Sequence, residues 1–335
     1  MNRENLSAAE AQAVMQYVLN GDATTAQLAG FLVALRMKGE TADELVGFAR
    51  AMREKAVKLP MPLTGDPLLD TCGTGGDGAC TFNISTVAAF VVAGAGVRVA
   101  KHGNRSLASR CGSADVLQAL GVDIDQDPRR MAAAIGHVGF GFFFAPAIHP
   151  AMRHAQQARA ELKMRTAFNL LGPLTNPAGA NVQIVGAPSI RAAELIAQAL
   201  ASLGLQRGFV VHGLDGLDEI TTTADTFMLE IRRGAIAHHT LSPQDFGVAT
   251  AKPADLKGDD IEANRKIAKA ILAGELGPKR DIVLVNAAAA LVVVGKAADF
   301  REGVSLAAKS IDSGAARSIL QRLVEFTARP AVLAG

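Results

Sequence analysis

From residue 68 onward, short apolar runs alternate with stretches of helical periodicity, and this alternation restricts the fold more than any other feature. The runs fall at 68–72, 97–100, 122–124, 141–145, 182–185, 209–211 and 226–231, with helical patterns at 114–120, 129–138 and 191–203 between them. A run of this length makes one buried strand, and strands joined through helices pair in parallel. The pattern predicts an α/β fold with a mainly parallel central sheet and flanking helices. The chain then returns to helix at 260–272, 280–294, 300–311 and 315–326.

The first sixty residues carry no strand pattern. Ser7 followed by Glu10 is a capping box, and apolar spacing runs through Val14, Tyr17 and Val18 to a break at Gly21-Asp22. A second helix starts at Thr24 or Thr25 and ends near Lys38; a third spans 41–55 with Leu45, Val46, Phe48 and Met52 on one face. Pro60, Pro62 and Pro67 make a stiff linker. We therefore expect a small all-helical domain over 1–62 and a larger α/β domain over 67–335. Residues 150–177 hold a helix at 152–162 and then Pro173 and Pro177; we expect this segment to cross back and complete the helical domain.

A chain of 335 residues, half of them apolar, has room for both domains. Lys plus Arg number 34 and Asp plus Glu 32, and a net charge of +2 argues against a nucleic-acid binder. It gives no reason to expect a membrane partner either. Cys72, Cys80 and Cys111 have neither a paired framework nor zinc spacing, so they read as small buried hydrophobes in a reducing compartment. The N-terminus lacks a signal-peptide pattern and the longest apolar stretch, 87–97, is too short to span a bilayer, so a cytoplasmic location is expected.

Four polar clusters carry chemistry. Asp70 to Gly78 is a glycine-rich loop between a strand and the polar group Asn83-Ile84-Ser85-Thr86, which would cap a helix over 87–95. Clustered glycines let N–H groups approach an anion, and a helix N-terminus adds its own, so a phosphate or pyrophosphate fits. The dinucleotide fingerprint is rejected because no Asp or Glu occurs between Asp77 and Asp115, and the Walker loop because no Gly-Lys-Ser/Thr follows. The second cluster, residues 101–106, follows the 97–100 strand, so Lys101 and the hydroxyls of Ser106, Ser109 and Ser113 reach the same sheet rim. The third, Asp218-Glu219, suits magnesium with phosphate oxygens and water beside a phosphate site, although on pattern alone such a pair reads first as a solvated turn. The fourth runs from His149 through Arg159, Lys163 and Arg165 to Pro177. There Arg159 suits two-point pairing with a carboxylate, or simply a basic surface helix.

In this order and spacing, GTGGDG at 73–78, NIST at 83–86, KHGNRS at 101–106, RTAFNLLGPLTNP at 165–177 and the pair Asp218-Glu219 resemble the anthranilate phosphoribosyltransferase family, over essentially the whole chain. The resemblance implies a nucleoside phosphorylase/phosphoribosyltransferase-like architecture, with the donor on the α/β side and anthranilate between the domains. It implies transfer of 5-phosphoribosyl from phosphoribosyl pyrophosphate to anthranilate in tryptophan biosynthesis, and a homodimer through the helical domains. Gly73, Gly76, Asp77 and Thr81 would cradle pyrophosphate and ribose, and Asn83, Ile84, Ser85 and Thr86 would hold phosphate. Lys101, His102, Gly103, Asn104, Arg105, Ser106, Leu107, Ala108, Ser109 and Ser113 would continue the donor site. Ser85, Asp218 and Glu219 would bind magnesium, two ions per monomer. Asn104 and Arg159 would contact anthranilate, with His102, His149, Gly172 and Pro173 lining its entry and His102 accepting the proton late. Thr71-Cys72 and Ala79-Cys80 are unusual choices beside the glycines. The alternatives are a pyrimidine nucleoside phosphorylase, against which the 83–86 and 101–106 clusters speak, and a non-catalytic nucleic-acid-binding relative, against which the charge balance speaks.

Overall fold

Each of the first three helices opens with a reciprocal cap. In the computed structural model, which describes residues 3–61, 66–106 and 110–328, these are α1 (Ala8–Asn20), α2 (Thr25–Lys38) and α3 (Ala42–Lys55). The hydroxyls of Ser7, Thr24 and Thr41 accept from the backbone of Glu10, Gln27 and Glu44, whose side chains return to the cap N–H. Two of a helix's first orphan donors are thereby satisfied without help from the rest of the fold. α1 packs along α3 through Ala11, Met15, Val18 and Leu19. Tyr17, placed in the apolar stripe by its spacing, is instead 49% exposed. The four apolar residues expected on one face of α3 are all buried.

Among the described residues seven strands form one sheet: β1 (Leu68–Gly73), β2 (Arg98–Gly103), β3 (Phe140–Phe144), β4 (Val182–Gly186), β5 (Arg207–Gly213), β6 (Thr226–Arg232) and β7 (Ala235–Leu241), in the order β3-β2-β1-β4-β5-β6-β7. The first five are parallel; β6 and β7 are antiparallel additions at one edge. α4 (Ile84–Gly94) links β1 to β2, and α5 (Ser113–Ala119) and α6 (Pro128–Val138) link β2 to β3. Between β3 and β4 lie α7 (Ala145–Ile148), α8 (Arg153–Leu162) and α9 (Phe168–Leu171), and α10 (Ile190–Ser202) joins β4 to β5. The chain ends in α11 (Ile261–Leu272), α12 (Pro278–Val293), α13 (Phe300–Asp312) and α14 (Ala315–Ala328).

Period-two alternation divides the strand side chains between two cores. In β5, Phe209 and Val211 join α4, α12, α13 and α14 on one face, whereas Val210 joins α10 and the N-terminal helices on the other. In β4, Ile184 and Val185 divide in the same way. Burying each such side chain contributes roughly 1.5–3 kcal/mol, so the helical bundle and the sheet are stabilised through one shared core. α8 packs on α2 and α1, α9 packs on α3, and Arg53 Nε donates to the Leu174 carbonyl at 2.7 Å. Pro62 of the expected linker lies outside the described residues. Among the described residues no helix is long and apolar enough to cross a membrane.

Three expectations need correction. Residues 122–124 form a turn: Val122 N–H donates to the Leu117 carbonyl to close α5, and Asp125 N–H donates to the Asp123 side chain. Val122 and Ile124 are apolar because they plug the core, not because they pair in a sheet. β7 was not expected at all. Cys72 and Cys111 are buried as expected, but Cys80 is exposed, with a left-handed φ of 52°.

Candidate active site

β1 sits where strand order reverses, with β2 on one side and β4 on the other. In open α/β sheets this is where a crevice opens beyond the carboxyl ends of the strands. The loop after β1, the loop after β2 and the β5–β6 connection carrying Asp218-Glu219 all emerge at this rim.

The acidic pair meets the anion-binding candidates directly. Asp218 Oδ2 accepts from Gly75 N–H at 2.7 Å, and Glu219 Oε1 accepts from Ser85 N–H at 3.2 Å. Ser85 is in the first turn of α4, so Glu219 caps that helix from a distance in sequence of 134 residues. A carboxylate at a helix N-terminus is favoured by the orphan N–H groups and by the macrodipole. The local cluster expected to cap α4 does not do so: the helix starts at Ile84, and the Asn83 amide donates instead to the Cys111 carbonyl at 3.1 Å. Ile84 itself is wholly buried, which leaves only its backbone to face a ligand.

Burial sets the electrostatics. Asp218 is raised well above the ordinary carboxylate range by burial and then by the adjacent Glu219 charge; Glu219 is pushed up to about 7 by burial, against the Lys101 charge. Lys101 was expected to present its charge to phosphate, but it is 2% exposed, and its ammonium donates to the Thr71 carbonyl and lies 3.4 Å from Ser85 Oγ. It sits behind the loop, and burial lowers its pKa. Asp70, which heads the glycine-rich cluster but was given no role of its own, accepts from His102 N–H at 3.2 Å and from Asn176 Nδ2 at 2.8 Å, tying β1, β2 and the 165–177 segment together. An acidic residue inside an apolar run, at the head of the glycine cluster, was its sequence signal.

The remaining candidates divide. Asp77 closes a turn on Ala79 N–H, Thr81 forms an isolated bridge with Lys257, and Thr86 is buried within α4. A Cβ on Gly73 would stand 2.8 Å from Asp218 Oδ2, and one on Gly103 would stand 2.3 Å from Ser113 Oγ. Ser113 Oγ donates to the Asn104 carbonyl, while Asn104 Oδ1 accepts from Arg105 N–H. Arg105 turns away from this rim onto α5, pairing with Asp115 at 2.7 Å and Gln118 at 2.8 Å, and Ser106 N–H reaches Asp115 as well. Leu107, Ala108 and Ser109 lie outside the described residues.

Among the residues expected to line the acceptor's entry, His102 and His149 meet edge to face, ring centroids 5.2 Å apart, with His102 Nδ1 3.2 Å from the Gly172 carbonyl. Burial lowers them to about 3 and about 4 respectively, so both are neutral at pH 7. Pro173 is buried, its carbonyl accepting from Gln183. Arg159 places its guanidinium 5.2 Å from the Phe168 ring centroid. Among the described residues, nine buried side-chain polar atoms lack a partner, and seven of them belong to Thr74, Asn83, His102, His149, Arg165 and Thr166. Buried polar groups are normally paired, so their concentration here marks where a polar guest would be received.

No three His, Cys, Asp or Glu side chains among the described residues form a ready metal cage. The donor set nevertheless fits magnesium: two adjacent, half-buried carboxylates that repel one another, with the Ser85 hydroxyl on the helix that Glu219 caps.

The fold and this site define a glycosyltransferase built from a helical bundle and an α/β domain. The family model described as "Glycosyl transferase family, a/b domain" matches residues 65–317 and its "helical bundle domain" matches residues 1–56. Curated anthranilate phosphoribosyltransferases from Solibacter usitatus and Moorella thermoacetica are 63% and 52% identical to the chain, covering 98% and 96% of it and 96% and 95% of their own lengths. The crystal structure of anthranilate phosphoribosyltransferase from Thermus thermophilus superposes with a TM-score of 0.92 at 45% identity, covering 98% of this chain and 97% of that one. The Saccharomyces cerevisiae enzyme in complex with PRPP and Mg gives 0.85 at 29% identity, over 96% and 93%. The chain belongs to the anthranilate phosphoribosyltransferase family.

Proposed function

We propose that this chain transfers the 5-phosphoribosyl group from phosphoribosyl pyrophosphate to the amine of anthranilate, giving N-(5-phosphoribosyl)anthranilate and pyrophosphate in tryptophan biosynthesis. One observation carries the reading. In a chain matched nearly end to end by anthranilate phosphoribosyltransferases, the loop and helix N–H groups suited to a diphosphate converge with two carboxylates suited to magnesium.

In the reaction the bond from the anomeric carbon to the pyrophosphate oxygen breaks, with the electron pair leaving on oxygen, and a carbon–nitrogen bond forms to the amine. The glycine-loop N–H groups that Asp218 does not engage receive the leaving diphosphate, and the positive end of the α4 dipole opposes its growing charge. Ser85, Asp218 and Glu219 hold magnesium, two ions per monomer, which supplies charge neutralisation on the leaving group. Lys101 fixes the start of α4 through Ser85 from behind. Arg159 and Asn104 orient anthranilate, Arg159 by its carboxylate. An aromatic amine is neutral at pH 7 and needs no base before it attacks. His102, kept neutral by burial, is a weak base and takes the amine proton only after the new bond has made that nitrogen a stronger acid. The chain acts as a cytoplasmic homodimer joined through its helical domains.

The test is the loss of anthranilate fluorescence on adding phosphoribosyl pyrophosphate, with and without magnesium. Loss that requires both donor and metal supports the reading; a folded protein that leaves the signal unchanged overturns it.

A further inference from the structure

Arg165 lies between α8 and α9, on the acceptor side of the cleft, yet it acts on the donor side. Its Nη1 donates to the Gly75 carbonyl at 2.6 Å. The guanidinium lies so close over the loop that a Cβ on Gly76 would stand 1.5 Å from Nη1. Gly75 is thus held at both ends of its polar backbone, by Arg165 at the carbonyl and by Asp218 at the N–H. Its φ of +64° is one that L side chains rarely adopt, so without such a grip the glycine has many other conformations open to it. The second nitrogen, Nη2, is buried and has no hydrogen-bond partner among the described residues. The neighbouring charges act in opposite directions: Asp218 and Asp77 favour the cation, and Arg36 of α2 opposes it.

A buried cationic N–H without a partner is costly unless something pairs with it. Here it sits against a loop whose N–H groups suit an anion. We infer that Arg165 belongs to the donor site: Nη1 fixes the glycine loop, and Nη2 receives an oxygen of the donor's diphosphate group. The inference rests on the proposed transfer reaction for its substrate but not for its geometry. A planar guanidinium does both jobs at once, holding a carbonyl with one nitrogen and an anion with the other, which an ammonium on a flexible stem does poorly.

The experiment compares the wild-type protein with Arg165→Gln and Arg165→Lys. It measures binding of inorganic pyrophosphate with magnesium by calorimetry, KM for donor and for anthranilate, and melting temperature. In the Gln variant, pyrophosphate affinity falls and donor KM rises by about ten- to a hundredfold, the loss of one charge-assisted hydrogen bond. The anthranilate KM stays within about twofold, and Lys recovers part of the loss. A pyrophosphate affinity unchanged in the Gln variant overturns the inference. So does a parallel rise of both KM values with a lowered melting temperature in both variants, since that is what a merely structural residue produces. The calorimetric arm needs no acceptor, so it judges Arg165 even if the wild-type protein fails to consume anthranilate.

Discussion

Gly186 offers the sharpest test of how the acidic loop is held. It ends β4 opposite Gly73, and its carbonyl accepts from Thr74 N–H at 3.0 Å. A Cβ placed on it would lie 1.6 Å from the Asp218 carbonyl oxygen, where ordinary contact begins at 3.4 Å. Gly186→Ala therefore drives the Asp218 backbone back by about 1.8 Å. The loop cannot shift as a whole, because Ile220 just beyond it is fixed on both its N–H and its carbonyl by Asn286 of α12. The displacement falls on Asp218 and Glu219 themselves. Misplacing reacting or positioning groups by about 1 Å can cost around a hundredfold in rate, so kcat/KM should fall by at least that factor. Overpacking of this kind costs about 1–3 kcal/mol, so the melting temperature should drop by only a few degrees. The assay is anthranilate consumption across a magnesium titration, with thermal unfolding followed in parallel. Gly136→Ala serves as control, since Gly136 is an exposed position in α6 with nothing within 4 Å of the added methyl. A folded Gly186→Ala protein with the wild-type rate and magnesium requirement would show that the position of the Asp218 backbone does not govern the site.

Three further outcomes are expected. Arg159→Ala should raise KM for anthranilate by about ten- to a hundredfold with little change for the donor, as loss of a charged pair does; steady-state kinetics with each substrate varied decide it, and an unchanged anthranilate KM removes Arg159 from the carboxylate. Replacing Asp218 by Asn together with Glu219 by Gln should abolish turnover or shift its magnesium dependence upward by at least about tenfold, whereas wild-type metal dependence in that variant would rule the pair out. His149, lowered by burial to about 4 against 6.5 when unfolded, binds fewer protons in the folded state between those values. Stability should therefore fall as pH drops from 6.5 toward 4, by on the order of 3 kcal/mol for this group; His149→Gln should flatten that slope in urea titrations, and an unaltered slope would contradict the burial argument.

The parallel core of the fold was legible because burial on both faces writes strands as continuous apolar runs, as at 182–185 and 209–211. The same logic failed at the edge. β7 reads Ala-Ile-Ala-His-His-Thr-Leu and is exposed along nearly all its length, so nothing in it needs to be apolar. It failed in the opposite sense at Val122 and Ile124, which are buried from a turn. Helix starts were legible wherever the cap is local, as at Ser7, Thr24 and Thr41. The start of α4 was misjudged because its cap, Glu219, comes from another loop. The polar clusters that the sequence singles out do reach one rim. Which way each side chain points was not legible: Arg105 looks outward to α5 and Lys101 inward under the loop, and both differ from what their neighbours in sequence suggest. Arg165 was legible only as one member of a basic cluster and Gly186 not at all, because the importance of both lies in what stands opposite them in space.

The turn joining β6 to β7 has a practical consequence. Arg232 pairs with Arg207, the first residue of β5, so the turn at Arg233-Gly234 lies at the amino end of the parallel strands. The seven residues of β5 then separate it from the catalytic rim by about 20 Å. Both turn residues take left-handed φ values, 49° and 84°, and both are exposed. A dye, an affinity handle or a grafted domain attached there would report on this molecule without entering its chemistry, and the hairpin edge becomes the natural place to immobilise it for single-molecule work.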